Sequence, residues 1–113
     1  MLFMSWPYKN KPLMMQELRQ EFIKAANKNN ILLIPAGEAF YSFTKAYPDI
    51  DLYTRDLRHP SKEGTYLAAA VVFATIFKTV VEGNQGIKDI DPEDALKIQQ
   101  VADSTIQEFF KGE

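Results

Sequence analysis

The sequence predicts an α/β fold in which a short parallel sheet is flanked by helices. Two apolar runs, residues 1–6 and residues 31–35, show no alternation of apolar and polar side chains. Such runs are typical of strands that are covered on both faces, as in a parallel sheet. A segment with helical periodicity lies between them, so strand, helix and strand form one βαβ unit. Ligands of such sheets bind beyond the carboxyl ends of the strands.

Length and composition describe one globular domain, or a piece of one, over residues 1–113. The 113 residues are 46% hydrophobic and 25% charged, which is typical of a soluble protein with its own core. A net charge of -2 gives no electrostatic reason to expect nucleic acid or an anionic membrane as a partner. The chain has no cysteine and one histidine, which excludes disulfides, thiolate metal ligands and multi-histidine zinc sites. We predict no cofactor and no metal.

Neither targeting nor membrane insertion is indicated. Residues 1–6 lack a basic region before them and a small-residue cleavage site after them, so they fit a strand better than a signal peptide. The apolar run at residues 66–77 is shorter than the roughly 18 residues that a membrane span needs. Lys78 then interrupts it. We predict no membrane association, and the sequence leaves the localisation open.

The helix of the βαβ unit is predicted over residues 13–29. Pro7 ends the first strand, and Pro12 suits the first turn of a helix. Apolar side chains recur every three or four residues, and an asparagine-rich stretch suits the helix end. After the second strand, residues 38–47 are predicted to form a short helix that Pro48 stops.

A polar loop over residues 49–59 leads to a strongly apolar helix. Leu52 and Tyr53 are the expected anchors of this loop. Pro60 holds His59 in an extended conformation and keeps it out of the helix that follows.

The apolar helix has a clear start signal, because Ser61 is a natural N-cap. We predict that it runs to about residue 82, with Gly83 at its end and the loop continuing through residues 84–86. Because residues 66–77 are almost all apolar, we expect a buried core helix. Phe73 and Phe77 are assigned to the core on this basis.

The last helix is predicted from Asp91, a suitable cap, to about residue 110. Pro92 suits its first position, and acidic residues fill its first turn. We expect a buried stripe composed of Ala95, Ile98, Val101, Ala102, Thr105, Ile106 and Phe109, and we assign Phe109 and Phe110 to the core.

Residues 52–69 carry the most specific pattern in the chain. They read Leu-Tyr-x-x-Asp56-x-x-His59-Pro-Ser-x-x-Gly64-x-Tyr-Leu-Ala-Ala, and His59 is the only histidine. A carboxylate beside a lone imidazole is the arrangement by which a hydrolase holds a general base. This block resembles the C-terminal block of SGNH (GDSL-type) ester hydrolases. The order of elements, with Pro-x-Gly-Glu-Ala at residues 35–39, also resembles the second half of that family.

The resemblance implies the C-terminal half of a flavodoxin-like α/β/α sandwich over about residues 1–110. It implies His59 as the general base and Asp56 as its orienting acid, acting on a serine in an N-terminal Gly-Asp-Ser block. The substrate would be a carboxylic or carbohydrate O-acyl ester. Nothing in the chain matches the serine block or the glycine and asparagine that supply oxyanion donors. The four serines lack a glycine-flanked turn, and Ser61 is better explained as a helix cap.

Three residues near the expected ligand face are weaker candidates for substrate binding. Trp6 ends the first strand and Tyr8 follows it, and both could stack on a sugar ring, whereas Arg58 could bind an anionic group. Core packing or loop anchoring explains the two aromatic residues equally well, and an arginine on a polar loop is usually solvated.

Two strands covered on both faces need neighbouring strands that this chain does not supply. We expect either the C-terminal half of a longer hydrolase, inactive alone, or a homo-oligomer that pairs through the exposed sheet edge. A rival function is a non-catalytic interaction or assembly module with the same half-fold. A small-molecule binding domain is a third alternative.

Overall fold

A computed structural model describes residues 1–83 and 89–111, and the loop predicted over residues 84–86 lies outside them. In this part of the chain, four helices accompany a two-stranded parallel sheet. The elements are β1 (Leu2–Phe3), α1 (Met14–Asn29), β2 (Leu33–Ile34), α2 (Ala36–Ala46), α3 (Lys62–Phe77) and α4 (Pro92–Phe109). The predicted α/β class, with a short parallel sheet and flanking helices, is confirmed.

The sheet is shorter and less covered than the sequence predicted. Leu2 lies opposite Leu33 and Phe3 opposite Ile34. The ladder stops there because the chain enters α2 at Ala36, directly after β2. β2 is buried, but Phe3 in β1 is 39% exposed. The prediction that both strands are covered on both faces is therefore wrong for β1.

One edge of β1 is paired with β2 and the opposite edge is not paired within the described residues. The N–H groups of Leu2 and Met4 donate to the carbonyls of Leu32 and Ile34, at 2.8 and 2.9 Å. Alternate residues of a strand direct their backbone groups to opposite edges. The N–H and C=O of Phe3 therefore face the outer edge of β1.

Local sequence signals correctly predicted the C-terminal ends of α1 and α2 and the N-terminal end of α4. α1 ends at Asn29, where Asn30 takes the left-handed conformation with φ of 51°. α2 ends at Ala46, shortly before Pro48. α4 begins after Asp91, whose carboxylate accepts a hydrogen bond from the Glu93 N–H at 2.8 Å.

α3 is shorter and more exposed than predicted. It ends at Phe77 rather than near residue 82, because Lys78 takes the left-handed conformation with φ of 53°. Phe73 is 40% exposed and Phe77 is 64% exposed, so their assignment to the core is wrong. Only one face of α3 packs against α2 and α4, and that face consists of Leu67, Ala70, Val71, Ala74 and Thr75. Among the described residues, no helix has the length and apolar character to cross a bilayer.

The main core lies where α2, α3 and α4 meet β2, and a smaller cluster joins α1 to the sheet. Phe40, Phe43, Leu52, Leu67 and Ile98 are fully buried in the main core. The predicted stripe of α4 is confirmed at its centre: Ala95, Ile98, Ala102 and Thr105 are buried, and Val101, Ile106 and Phe109 are half-buried, as is Phe110. α4 also buries Gln99, which the sequence analysis did not predict.

Candidate active site

The loop that carries Asp56 and His59 is closed by its own backbone. The Thr54 N–H donates to the His59 carbonyl, and the Ser61 N–H donates to the Leu52 carbonyl, each at 2.8 Å. The two sides of the loop also form a single antiparallel bridge. Leu52 and Tyr53 are both buried, which confirms them as the anchors of the loop. The residues between these anchors and α3 thus project from the core as a compact turn.

The Asp56 carboxylate joins the His59 imidazole to the backbone of this turn. Its Oδ2 contacts His59 Nδ1. Its Oδ1 accepts hydrogen bonds from the Thr54 hydroxyl at 2.8 Å and from the N–H groups of Arg58 and His59 at 2.9 Å. The backbone N–H of His59, then that of Arg58, and then the two side chains hold the pKa of Asp56 well below its ordinary value. Asp56 therefore stays ionised at neutral pH.

The His59 imidazole contacts Asp56 through Nδ1, and the rest of its side chain is largely exposed to solvent. It is 78% exposed, and the Asp56 side chain is 45% exposed. Because Nδ1 faces Asp56, Nε2 is the ring nitrogen that can exchange a proton with another group. No serine within residues 1–83 and 89–111 forms a hydrogen bond with His59. The Ser61 hydroxyl accepts from the Gly64 N–H at 3.1 Å, so Ser61 caps α3 as predicted.

The three weaker candidates lie together beside His59. The Trp6 indole N–H donates to the Arg58 carbonyl at 2.8 Å, and its ring stacks on Phe40 with 4.3 Å between centroids. The Arg58 guanidinium lies 4.7 Å from the centre of the Tyr8 ring. The N–H of Trp6 and one face of its ring thus already contact other residues of the chain.

Further contacts, which sequence reasoning missed, fasten the segment after β1 to the loop. The Tyr53 hydroxyl donates to the Pro7 carbonyl at 2.8 Å, and the Lys9 N–H donates to the Leu57 carbonyl at 2.9 Å. Burial, followed by the charge of Asp51, raises the pKa of Tyr53 to about 12. Burial also opposes ionisation of Asp51, but hydrogen bonds from Lys9 and the Tyr53 N–H lower the pKa of Asp51 below its ordinary value. The only signal in the sequence for these contacts was the aromatic character of Tyr53.

The arrangement can orient an imidazole and transfer a proton at Nε2, but the part of the chain that the structure describes brings no nucleophile to it. Nor does that part contain a group of three or more acidic or histidine side chains placed to hold a metal ion. In comparisons with known proteins, no family model, curated protein or solved structure matches the chain.

Proposed function

We propose that the chain supplies the acid–base part of an SGNH-type ester hydrolase, with His59 as general base and Asp56 as its orienting acid. The observation that carries this proposal is the contact between His59 Nδ1 and Asp56 Oδ2 within the family-like block. Asp56 accepts the Nδ1–H, and Nε2 takes the proton of a serine hydroxyl as that serine attacks an ester carbonyl. Nε2 then gives the proton to the departing alcohol oxygen. Water hydrolyses the acyl-serine with the same base.

In this proposal the serine and the oxyanion donors come from a further polypeptide segment, so the chain is the C-terminal part of the enzyme and is inactive alone. The outer edge of β1 supports this interpretation, because the N–H and C=O of Phe3 can pair with another parallel strand. The exposed rings of Phe73 and Phe77 support it as well, since they offer an apolar stripe on α3 to a further helix.

The exposure of His59 is consistent with such a role, because both a serine and an ester must reach Nε2. The substrate class, carboxylic or carbohydrate O-acyl esters, rests on the resemblance of residues 52–69 alone. The Arg58 guanidinium lies 4.7 Å from the centre of the Tyr8 ring, and the N–H of Trp6 is already bound to the Arg58 carbonyl.

Long-range proton–nitrogen NMR of the imidazole tests the dyad directly, because His59 is the only histidine. At a pH where the ring is neutral, we expect the Nδ1–H tautomer, since Asp56 accepts that proton. Asp56→Ala should shift the ring toward the Nε2–H tautomer that free imidazoles favour, and Asp49→Ala, at an exposed aspartate outside the turn, should not. A predominant Nε2–H tautomer in the unmodified protein would contradict the proposal.

Activity provides a second test. A serine-directed fluorophosphonate should not label the chain, and labelling of any of its four serines would show that the nucleophile lies within it. In a longer protein that includes a Gly-Asp-Ser block, His59→Ala should abolish hydrolysis of an acetyl ester, while Arg55→Ala should retain it. Full activity of the His59→Ala protein would overturn the assignment of the base.

A second candidate function, a non-catalytic assembly module, is favoured by the same unpaired edge of β1. It requires a stable oligomer in which the outer edges pair. Phe3→Pro removes an N–H that faces away from β2, so it should dissociate the oligomer while leaving the bonds between β1 and β2 intact. A folded monomer in sedimentation experiments would contradict this function.

A further inference from the structure

The segment after β1 and the loop of His59 exchange hydrogen bonds from aromatic side chains. The Trp6 indole N–H donates to the Arg58 carbonyl, and the Tyr53 hydroxyl donates to the Pro7 carbonyl, each at 2.8 Å. Each segment therefore supplies one aromatic donor and one backbone acceptor. These reciprocal bonds join parts of the chain that are 52 and 46 residues apart in the sequence.

Both aromatic rings pack on Phe40, which is fully buried in α2. The Trp6 ring stacks on it with 9° between the planes, and the Tyr53 ring meets it edge-on, with centroids 5.8 Å apart and 81° between the planes. A ring held in this way directs its donor group, because few rotamers keep the packing. The core thus sets the direction in which the Trp6 N–H points.

The Arg58 carbonyl belongs to the same peptide group as the His59 N–H. That N–H donates to Asp56 Oδ1 at 2.9 Å, while the other oxygen of Asp56 contacts His59 Nδ1. The peptide plane before His59 is therefore held at both ends, by Trp6 at its oxygen and by Asp56 at its nitrogen. A hydrogen bond to the carbonyl also polarises the peptide and strengthens its N–H as a donor. A continuous series of hydrogen bonds leads from the indole to the imidazole.

We propose that Trp6 is a positioning residue for His59, supported by Tyr53, and that its indole N–H acts through the peptide group between Arg58 and His59. This inference rests on the proposed role of His59 as general base. It replaces the interpretation of Trp6 as a sugar-stacking residue, because the indole N–H and one ring face are engaged by Arg58 and Phe40.

The decisive variant is Trp6→Phe, which retains a six-membered aromatic ring to pack on Phe40 and removes the N–H together with the five-membered ring that carries it. We expect the ratio of Nδ1–H to Nε2–H tautomers of His59 to fall, by at most the roughly fivefold that the free energy of one hydrogen bond implies. The amide proton of His59 should shift upfield, because its bond to Asp56 weakens. Tyr47→Phe, at an aromatic residue of the α2 end outside this network, should change neither signal. If Trp6→Phe does not fold, Tyr53→Phe tests the same network from its other donor.

The outcomes separate this inference from the proposed function. If the unmodified protein shows the Nδ1–H tautomer and both Trp6→Phe and Tyr53→Phe leave it unchanged, the positioning role is wrong and the proposed function stands. If the unmodified protein already shows the Nε2–H tautomer, both fail. In a longer protein that carries the serine block, Trp6→Phe should lower kcat with KM unchanged, whereas a higher KM with kcat unchanged would restore the substrate-binding role and overturn the inference.

Discussion

Gly64 lies against the carbonyl group of Leu52, so closely that a Cβ at Gly64 would be 2.2 Å from the Leu52 oxygen. The same oxygen accepts the hydrogen bond of the Ser61 N–H at 2.8 Å. The first turn of α3 and the start of the His59 loop are therefore in contact with no space for a side chain. Close packing against Leu52 thus explains why a glycine occupies this position of residues 52–69.

Gly64→Ala should consequently destabilise the protein. The Leu52 carbonyl would have to move, which would weaken its bond to Ser61, and we expect a loss of about 2–3 kcal/mol in the free energy of unfolding. Urea denaturation followed by circular dichroism measures this loss. Thr65→Ala, at the exposed neighbouring position, should change the same free energy by less than about 0.5 kcal/mol. Equal stability of the two variants would refute the steric explanation.

The carboxylate of Asp56 should make the free energy of unfolding depend on pH in the acid range. Its pKa in the folded protein lies below the ordinary value of 3.8. A group of this kind stabilises the folded state above its ordinary pKa, and the contribution is lost as the pH falls below that value. Between about pH 4 and about pH 2, the free energy of unfolding should therefore fall less steeply for Asp56→Asn than for the unmodified protein.

Urea denaturation at several pH values within this range checks the prediction. Some slope should persist in Asp56→Asn, because the pKa of Asp51 is also lowered, by its bonds to Lys9 and the Tyr53 N–H against the opposing effect of burial. Asp49→Asn, at an exposed aspartate of the same loop, should retain the slope of the unmodified protein. Identical slopes for Asp56→Asn and the unmodified protein would show that the bonds to Asp56 do not persist in solution.

Local signals predicted the parts of the fold that short stretches of sequence determine. Asn30 caps the C-terminus of α1, and Ser61 and Asp91 cap the N-termini of α3 and α4, as their side chains favour. The proximity of Asp56 and His59 was predictable for the same reason, since three residues of one turn connect them.

The features of the fold that the sequence did not predict depend on long-range packing. Lys78 ends α3 in a conformation that costs most residues about 1–2 kcal/mol, so no residue-type preference marks that position. The exposure of Phe73 and Phe77 depends on which face of an all-apolar helix meets α2 and α4. The bond from Trp6 to Arg58 joins residues that are 52 positions apart, and only the folded chain brings them together.

The buried hydroxyl of Tyr53 should affect stability in the alkaline range. Burial raises its pKa from 10.0 to about 12. A group with a raised pKa stabilises the folded state below its ordinary value, and the contribution is lost as the pH rises toward the folded value. We expect the unmodified protein to lose stability between about pH 10 and about pH 12 more steeply than Tyr53→Phe. At neutral pH, Tyr53→Phe should be less stable by about 1 kcal/mol, because the Pro7 carbonyl loses its donor.

Tyrosinate absorbance checks that the raised pKa belongs to Tyr53. In the unmodified protein, one of the five tyrosines should ionise at a higher pH than usual, and this late ionisation should be absent from Tyr53→Phe. Unfolding by urea across the same pH range measures the difference in slope. Tyr47→Phe serves as the control and should retain the late-ionising tyrosine. If the late ionisation persists in Tyr53→Phe, another tyrosine is responsible and the assignment to Tyr53 is wrong.

Two buried threonines in neighbouring helices should respond in opposite ways to the same substitution. The Thr105 hydroxyl in α4 has no hydrogen-bond partner among the described residues, whereas the Thr75 hydroxyl in α3 donates to the Val71 carbonyl at 2.7 Å. Valine has nearly the shape of threonine and lacks the cost of burying an unpaired hydroxyl. Thr105→Val should therefore raise the free energy of unfolding by about 1 kcal/mol. Thr75→Val should leave the free energy of unfolding unchanged or lower it. Thermal unfolding of both variants in parallel measures the difference. A Thr75→Val protein more stable than Thr105→Val would refute the prediction.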